Sequence, residues 1–170
     1  VWGVDIFTQD SALCLAARIP SLEIVGLELQ PSYADLARRN ASANDAALTV
    51  IDGDLAALPA ALRHRSFDHV IANPPYFKLA GHDQRARAFA HAVHGQPNIY
   101  SLFMASCASL LRDGGAFCFI TPRSWTNGAY FRALRTYLLA RLSVDGLHLF
   151  DSRQAHFQAD TVLQEAVITW

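Results

Sequence analysis

The chain has 170 residues, of which 52% are hydrophobic, and this length and composition predict one soluble globular domain with its own core. Its 14 Lys and Arg residues nearly balance its 15 Asp and Glu residues, which excludes an overall basic field and leaves any nucleic-acid binding to a local patch or a partner domain. No apolar run reaches the ~20 residues of a membrane-spanning helix. Three widely spaced cysteines without a C-x-x-C pair argue against a disulfide framework or a zinc site, and indicate a reducing cytoplasm.

Short apolar runs alternate with longer amphipathic segments along the chain. The predicted strands cover 21–29, 48–52, 67–73, 115–122, 144–150 and 162–170. The predicted helices cover 10–18, 31–44, 99–111 and 127–142, and the sequence RDGG is a stop signal after the third. The alternation predicts right-handed βαβ units and an α/β fold with a mostly parallel sheet and helices on both faces. Residues 78–98 form the least regular segment.

Ligands of such a sheet bind beyond the carboxyl ends of its strands, where three polar residues stand: Glu28, Asp54 and Asn73. A carboxylate at the position of Glu28 can accept both hydroxyls of a ribose, and a solvated or helix-capping carboxylate is the competing interpretation. Asp54 can accept from an exocyclic adenine amine, although Gly-Asp is also ordinary turn chemistry.

The segment FDHVIANPPYF, residues 67–77, carries the most specific pattern. Asn73 supplies an amide oxygen beside the carbonyl of Pro74, the backbone is stiffened by Pro74 and Pro75, and Tyr76 follows. Two acceptors can hold both N–H bonds of a planar NH2 group and aim its nitrogen at an electrophile, while the aromatic ring stacks on the attached base or amide. A diproline turn covered by an aromatic ring is the competing interpretation.

These residues make the chain resemble the S-adenosylmethionine-dependent N6-adenine methyltransferases of Rossmann-like, class I fold, in which N-P-P-Y is the catalytic motif. Residues 11–77 resemble the branch that methylates tRNA adenine. Residues 73–170, with NPPYFK, LLRDGGAFCFITPRSW and LHLFDSR, resemble the adenine-specific DNA methylases of restriction-modification systems, especially those fused to an endonuclease. The meeting of both resemblances at one motif is typical of a fragment or a recombined or designed chain, and a divergent natural member is the alternative.

The resemblance implies methyl transfer from S-adenosylmethionine to the N6 of a flipped adenine, with DNA preferred over tRNA as the substrate. It places Glu28 at the cofactor ribose and Asp54 near the cofactor adenine. It also implies one catalytic domain over residues 1–170 with an antiparallel last strand. The separate target-recognition domain of the restriction-type enzymes has no counterpart in the sequence, so none is expected. The catalytic residues that it implies are Asn73, Pro74, Pro75 and Tyr76.

Four further residues are expected on the substrate side of the pocket. Phe77 is expected to add a wall beside the motif. Lys78 and Arg123 are expected to contact nucleic-acid phosphates. Phe157 is expected to help close the pocket around the target base, by analogy with the resembling family.

The glycine-rich turn that follows the first strand in such enzymes has no counterpart in VWGVDIFTQD, and Asp5 or Asp10 is then the candidate to bind the cofactor ammonium. A non-catalytic Rossmann-like domain that has lost its cofactor site therefore stays open as an alternative, beside tRNA adenine methylation. Protein-glutamine N5 methylation also suits N-P-P-Y, but the restriction-type half argues against it. His91 and His94 have no third ligand nearby, so no metal is expected.

Overall fold

The computed structural model describes residues 2–5, 9–63, 66–150 and 165–170. Within them, the strands are β1 (Trp2–Asp5), β2 (Glu23–Glu28), β3 (Leu48–Asp52), β4 (Phe67–Ala72), β5 (Leu111–Pro122), β6 (Leu147–Leu149) and β7 (Ala166–Thr169). The helices are α1 (Gln9–Arg18), α2 (Pro31–Ala43), α3 (Gln84–Ala88), α4 (Ile99–Ala108) and α5 (Arg132–Leu139). Short 3-10 turns cover Leu55–Ala57 and Arg123–Thr126. Every helix in these ranges is too short or too polar to cross a bilayer.

The chain forms two compact units, Val1–Asn73 with Ser109–Phe117, and Pro74–Ala108 with Cys118–Trp170. In the first unit the strands hydrogen bond in the order β3-β2-β1-β4-β5. In the second unit the order is β5-β7-β6. β5 belongs to both units because it passes from one into the other at Phe117.

The strands of the first unit that lie around β1 pair in parallel and close register. Asp5 of β1 lies opposite Gly26 of β2 and Ile71 of β4. Glu28, the last residue of β2, lies opposite Asp52, the last residue of β3. Because these pairs are parallel, the carboxyl ends of β1 to β4 meet at one edge of the sheet. The predicted parallel arrangement is confirmed here.

The antiparallel pairs lie in the second unit. β7 pairs with β5, where Ile168 lies opposite Ile120, and also with β6, where Ile168 lies opposite His148. The predicted antiparallel last strand is therefore confirmed. The predicted run 162–170 overlaps the described residues from 165 onward, and β7 lies inside that overlap.

The core of the first unit follows from two sequence periods. Val25 and Leu27 alternate along β2 and are buried, as expected for one face of a strand. Ala34, Ala37 and Ala41 recur three and four positions apart along α2 and are also buried, as expected for one face of a helix. Small side chains on that face let a helix approach its neighbours closely.

The core of the second unit centres on α4, all of whose 10 residues are buried. A helix that is apolar on every side is expected to be buried on every side. In α5, by contrast, Leu134 and Leu138 are buried at a spacing of one helical turn and the remaining faces are polar or partly exposed.

The predicted helix 127–142 is shorter in the structure, where α5 covers Arg132–Leu139. Gly128 has φ of 74°, which a continuing helix does not allow. The guanidinium of Arg135 donates to three main-chain carbonyls of the preceding loop and holds it away from helical geometry. These carbonyls belong to Trp125, Asn127 and Gly128.

The RDGG segment lies inside β5 and not in a turn before it, so the predicted strand 115–122 begins too late. Gly114 has φ of 73°, which only glycine adopts readily. A Cβ on Gly115 would lie 3.0 Å from the carbonyl oxygen of Phe67, so close strand pairing requires glycine there. The pair of glycines that is typical of a turn serves here to bring two backbones together.

Helix α3 lies in the segment 78–98, which carries no helix prediction. Its signal is the capping residue Asp83, whose carboxylate accepts from the backbone N–H of Arg85 at 2.8 Å. Only 5 residues continue the helix after this cap, too few to show a hydrophobic period.

Burial along β2 predicts how the stability of the first unit responds to a matched pair of substitutions. Leu27 is 4% exposed and Leu29 is 62% exposed. Leu27→Ala is expected to lower the free energy of unfolding by about 2 to 5 kcal/mol, because it leaves a cavity. Leu29→Ala is expected to change it by less than about 0.5 kcal/mol. Urea denaturation of both variants checks this, and equal effects would contradict the burial.

Candidate functional site

Glu28 lies at the carboxyl edge of the parallel strands and is half-buried. Its Oε1 atom accepts from the backbone N–H of Gln30 at 2.7 Å, immediately before α2 begins at Pro31. Its main-chain carbonyl accepts from the N–H of Gly53 at 2.9 Å. The carboxylate is thus fixed at the strand end. Its contact with Gln30, next to the start of α2, is the one that the helix-capping interpretation describes.

Asp52, directly opposite Glu28, is a further carboxylate at this edge and is not among the predicted site residues. It forms an ion pair with Arg38 of α2, whose guanidinium also bonds Asp35 at 2.9 Å and the carbonyl of Val50 at 3.2 Å. The hydrogen bond that Arg38 donates to the Asp52 carboxylate raises the pKa of Arg38 above its usual value. Arg38 thus compensates the charge of Asp52, which distinguishes Asp52 from Glu28. The signal in the sequence is its position at the end of the predicted strand 48–52.

Asp54 follows β3 at the same edge and is half-buried. Its carbonyl accepts from the N–H of Ala57 at 3.0 Å, so the turn interpretation of Gly-Asp describes its backbone. Gly53 is required before it, because a Cβ at this position would overlap the ring of Pro59. The glycine thus allows the Pro59 ring to pack directly against the backbone between Glu28 and Asp54.

The backbone places Asp5 at the carboxyl end of β1 and Asp10 in the first turn of α1. Asp5 thus lies at the edge where β2, β3 and β4 also end, and Asp10 lies in the helix that follows β1. The side chains of these two residues lie outside what the structure describes, as do residues 6–8, which stand where a glycine-rich turn is expected.

Asn73 directly follows β4 and is exposed at the same edge as the carboxylates. It is the last residue of this segment of the first unit, and Pro74 begins the second. Pro74 is buried, while Pro75 and Tyr76 are half-buried. The parallel register therefore brings the Asn73 backbone to the edge where β1, β2 and β3 also end.

Tyr76 is held in a fixed orientation by contacts at both the hydroxyl and the ring. Its hydroxyl donates to the carbonyl of Ile120 at 3.2 Å. Its ring meets the ring of Tyr100 edge to face, with centroids 6.3 Å apart and an interplanar angle of 87°. Burial raises the pKa of Tyr76 to about 12, so the phenol is neutral and remains a donor at physiological pH.

Tyr100 supports Tyr76 from the core of the second unit. It is completely buried. Its hydroxyl shares a hydrogen bond of 3.1 Å with the hydroxyl of Ser124, and its ring stacks on Phe131 at 5.9 Å. Tyr130, by contrast, is 46% exposed, and its hydroxyl donates to the carbonyl of Gln96.

The residues predicted on the substrate side have different surroundings. Phe77 is 47% exposed next to the motif, and Lys78 is exposed and bridges to Asn98. Arg123 forms an ion pair with Glu165, so a phosphate at Arg123 would compete with a carboxylate. Phe157 lies outside the described residues.

In the described part of the chain, no three His, Cys, Asp or Glu side chains come together as metal ligands would. His91 lies in a turn after α3 and His94 in the irregular segment that follows, so they do not share a helical face. All three cysteines are free thiols, and burial raises the pKa of Cys107 well above its usual value.

Burial of Tyr76 and Tyr100 predicts a loss of stability at high pH. Each phenol has a pKa of about 12 in the folded chain against 10.0 without burial, so the unfolded chain ionises first. The contribution of the two phenols to the free energy of unfolding is complete below pH 10 and is lost as the pH rises towards 12. When this free energy is measured by urea unfolding over the same pH range, it should fall less steeply for Tyr76→Phe than for the wild type. It should fall less steeply still for the double variant with Tyr100→Phe. Identical slopes in all three proteins would contradict the burial of these hydroxyls.

Comparison with known proteins gives matches to methyltransferases. The family model Eco57I restriction-modification methylase matches residues 22–157. The type II methyltransferase M.BsuBI of Bacillus subtilis is 44% identical over 103 residues, which are 61% of this chain and 21% of that protein. A tRNA1(Val) (adenine(37)-N6)-methyltransferase of Porphyromonas gingivalis is 32% identical over 117 residues, which are 66% of this chain and 45% of that protein.

Among solved structures, the type I restriction-modification methyltransferase subunit of Streptococcus thermophilus matches with a TM-score of 0.74 and 18% identity. The match covers 99% of this chain and 39% of that one, and it confirms the predicted methyltransferase fold. The chain spans less than half the length of the two curated relatives named above.

Proposed function

The chain belongs to the Eco57I restriction-modification methylase family, and on this premise we propose that residues 1–170 are a catalytic domain that methylates the N6 of adenine in DNA. The proposed methyl donor is S-adenosylmethionine. The observation that carries the proposal is the position of Asn73: it begins N-P-P-Y at the edge where the strands bearing Asp5, Glu28 and Asp52 also end. The similarity to M.BsuBI supports DNA as the substrate.

The residues at this edge fit S-adenosylmethionine. Glu28 presents a half-buried carboxylate at the end of β2, where it would accept the ribose hydroxyls. Asp54, which is half-buried at the same edge, would accept from the adenine amine. Asp5 and Asp10 are the proposed partners of the ammonium group. When bound, this cofactor supplies a sulfonium methyl group as the electrophile.

Asn73 and Pro74 would orient the nucleophile. The N6 of adenine is weakly nucleophilic because its lone pair is delocalised into the ring. Two acceptors, the side-chain oxygen of Asn73 and the carbonyl of Pro74, would bind its two N–H bonds and favour the tetrahedral nitrogen that develops as the methyl group transfers. Pro74 and Pro75 fix two φ angles, so the backbone of the motif would already be ordered before the reaction begins.

Tyr76 would stack on the target base, a contact worth roughly 1 to 3 kcal/mol. Its hydroxyl is tied to Ile120 and its ring edge to Tyr100, so the plane of the ring is set before the base arrives. In duplex DNA the adenine must first flip out of the stack. Phe77 and Phe157 would wall the flipped base.

Lys78 and Arg123 are the proposed phosphate contacts next to the base. Lys78 is exposed and available for this role. Arg123 would have to exchange its ion pair with Glu165 for the phosphate. The free thiols of all three cysteines support a reducing, cytoplasmic location.

Methylation of a tRNA adenine is the second candidate, favoured by the 32% identity to the Porphyromonas gingivalis enzyme. The same acceptors would serve it, because the reacting NH2 group is the same. An adenine in a tRNA loop requires much less unstacking than one in a duplex.

A labelled methyl donor tests the proposal. The chain is incubated with S-adenosylmethionine labelled in the methyl group and, in separate reactions, with duplex DNA, with tRNA and with a glutamine-containing protein, and the nuclease or protease digests are analysed by mass spectrometry. Labelled N6-methyldeoxyadenosine is expected. Asn73→Ala should lower the rate by about 100- to 1,000-fold, as loss of one transition-state hydrogen bond does. Its cofactor affinity should stay unchanged, because Asn73 is assigned to the target nitrogen.

The matched control is Asn44→Ala, the same change at an exposed residue after α2, which should keep the wild-type rate. Label in N6-methyladenosine of tRNA and not in DNA would favour the second candidate. Label in N5-methylglutamine alone, or equal rates for Asn73→Ala and the wild type, would contradict the proposed chemistry.

A further inference from the structure

The second unit contains a groove of about 700 Å³ beside α5, to which no role is assigned above. One wall consists of residues that recur three or four positions apart, from Ala129 through Ala133 and Tyr137 to Arg141. This spacing places them on a single face of α5 and its flanking turns. His91 and His94 line the groove from the segment that follows α3.

The groove is a basic surface. Among the described residues that line it, Arg132 and Arg141 carry permanent positive charges and none is a carboxylate. The guanidinium of Arg141 lies over the ring of Tyr137, 3.8 Å from the centroid, and donates to the carbonyl of Tyr137 at 3.0 Å. Both partners are neutral, so they orient the guanidinium without cancelling its charge. An anion is the ligand that such a groove favours.

The distance between the two arginines indicates a polymeric anion. Arg132 begins α5 and Arg141 follows its end, so they are separated by about 13 Å at the helical rise of ~1.5 Å per residue. Arginines this far apart along the helix can each contact a separate phosphate. Successive phosphates of one strand are about 3.4 Å apart along a duplex axis, so two phosphates about four nucleotides apart match the separation.

The floor of the groove is ordered before any ligand binds. The ring of His91 lies 5.8 Å from that of Phe89 and 5.3 Å from that of Tyr137. The hydroxyl of Tyr137 donates to the carbonyl of Ala105 in the buried helix α4 at 3.4 Å. Ala133 leaves room between these side chains for a backbone to approach.

Direct ring contacts connect the groove to the N-P-P-Y motif within the second unit. Phe131 precedes Arg132 and stacks on Tyr100, which in turn contacts Tyr76. A polymer along the groove would therefore lie next to the elements that hold the aromatic ring proposed for the target base.

We propose that this groove binds the phosphodiester backbone of the nucleic-acid substrate, with Arg132 and Arg141 as phosphate ligands. The inference rests on the proposed function for the class of polymer. It adds a contact surface away from the reacting atoms, which would position the strand and carry no base specificity.

The test measures binding and requires no methyl transfer. Fluorescence anisotropy of a labelled DNA duplex, and of a labelled RNA hairpin, is recorded without cofactor over a series of salt concentrations. Arg132→Gln and Arg141→Gln should each reduce the slope of log affinity against log salt by about 1, because each removes about one phosphate contact. The double variant should reduce it by about 2. The nucleic acid, DNA or RNA, whose log affinity depends more steeply on log salt is the one whose backbone the groove binds.

Arg39→Gln is the matched control, since Arg39 is exposed on α2 and outside the groove, and the wild-type slope is expected for it. Circular dichroism verifies that each variant is folded. A wild-type slope in the double variant, the same drop in Arg39→Gln, or no binding by the wild type at low salt would overturn the proposal. Altered slopes in a chain that transfers no methyl group would support the groove and contradict the proposed function.

Discussion

Parallel pairing of β1 with β2 and β4, and of β2 with β3, is the constraint on which the candidate site depends. Because parallel strands run in the same direction, the chain returns between them through a helix or a longer loop. The carboxyl ends of β1 to β4 therefore lie at one edge of the sheet. The short polar segments that follow these strands lie at the same edge. Glu28 and Asp52 are neighbours solely because their strands are in register. Arg38 compensates one of these adjacent acids, which keeps two carboxylates from repelling each other at a strand end.

Aromatic packing in the second unit fixes the ring of Tyr76. The Tyr76 ring has no fixed orientation of its own, since a side chain after a diproline turn can rotate. Tyr100, anchored in a fully buried helix, and the carbonyl of Ile120 together remove that freedom. The ordering cost is met during folding, so it does not fall on the step in which a base would bind. The aromatic cluster also contains Phe131, which stacks on Tyr100 and precedes Arg132 of the basic groove. One core therefore supports both the ring of Tyr76 and the proposed contact with a nucleic-acid strand.

The sequence predicts what depends on local pattern. The bounds of β3 at 48–52 and the start of α2 at Pro31 agree with the structure because alternation and an N-terminal proline are strong local signals. Features that depend on distant partners are missed. The RDGG glycines serve close strand pairing with Phe67, which no local period reveals. The roles of Arg38 and Tyr100 likewise come from residues that are far away in sequence. The positions of Glu28, Asp54 and Asn73 were predictable from strand ends, whereas their partners were not.

The most direct test of the account is calorimetric titration of the chain with S-adenosylmethionine, because the carboxylate edge must hold the cofactor without a glycine-rich turn. Binding in the micromolar range is expected. Glu28→Gln should weaken it by roughly 10- to 100-fold through loss of charge-assisted hydrogen bonds. Glu23→Gln, the same change at the opposite end of β2, should leave it unchanged. No binding by the folded wild-type chain at millimolar cofactor, or equal affinities for Glu28→Gln and the wild type, would contradict the cofactor site and with it the proposed methyl transfer.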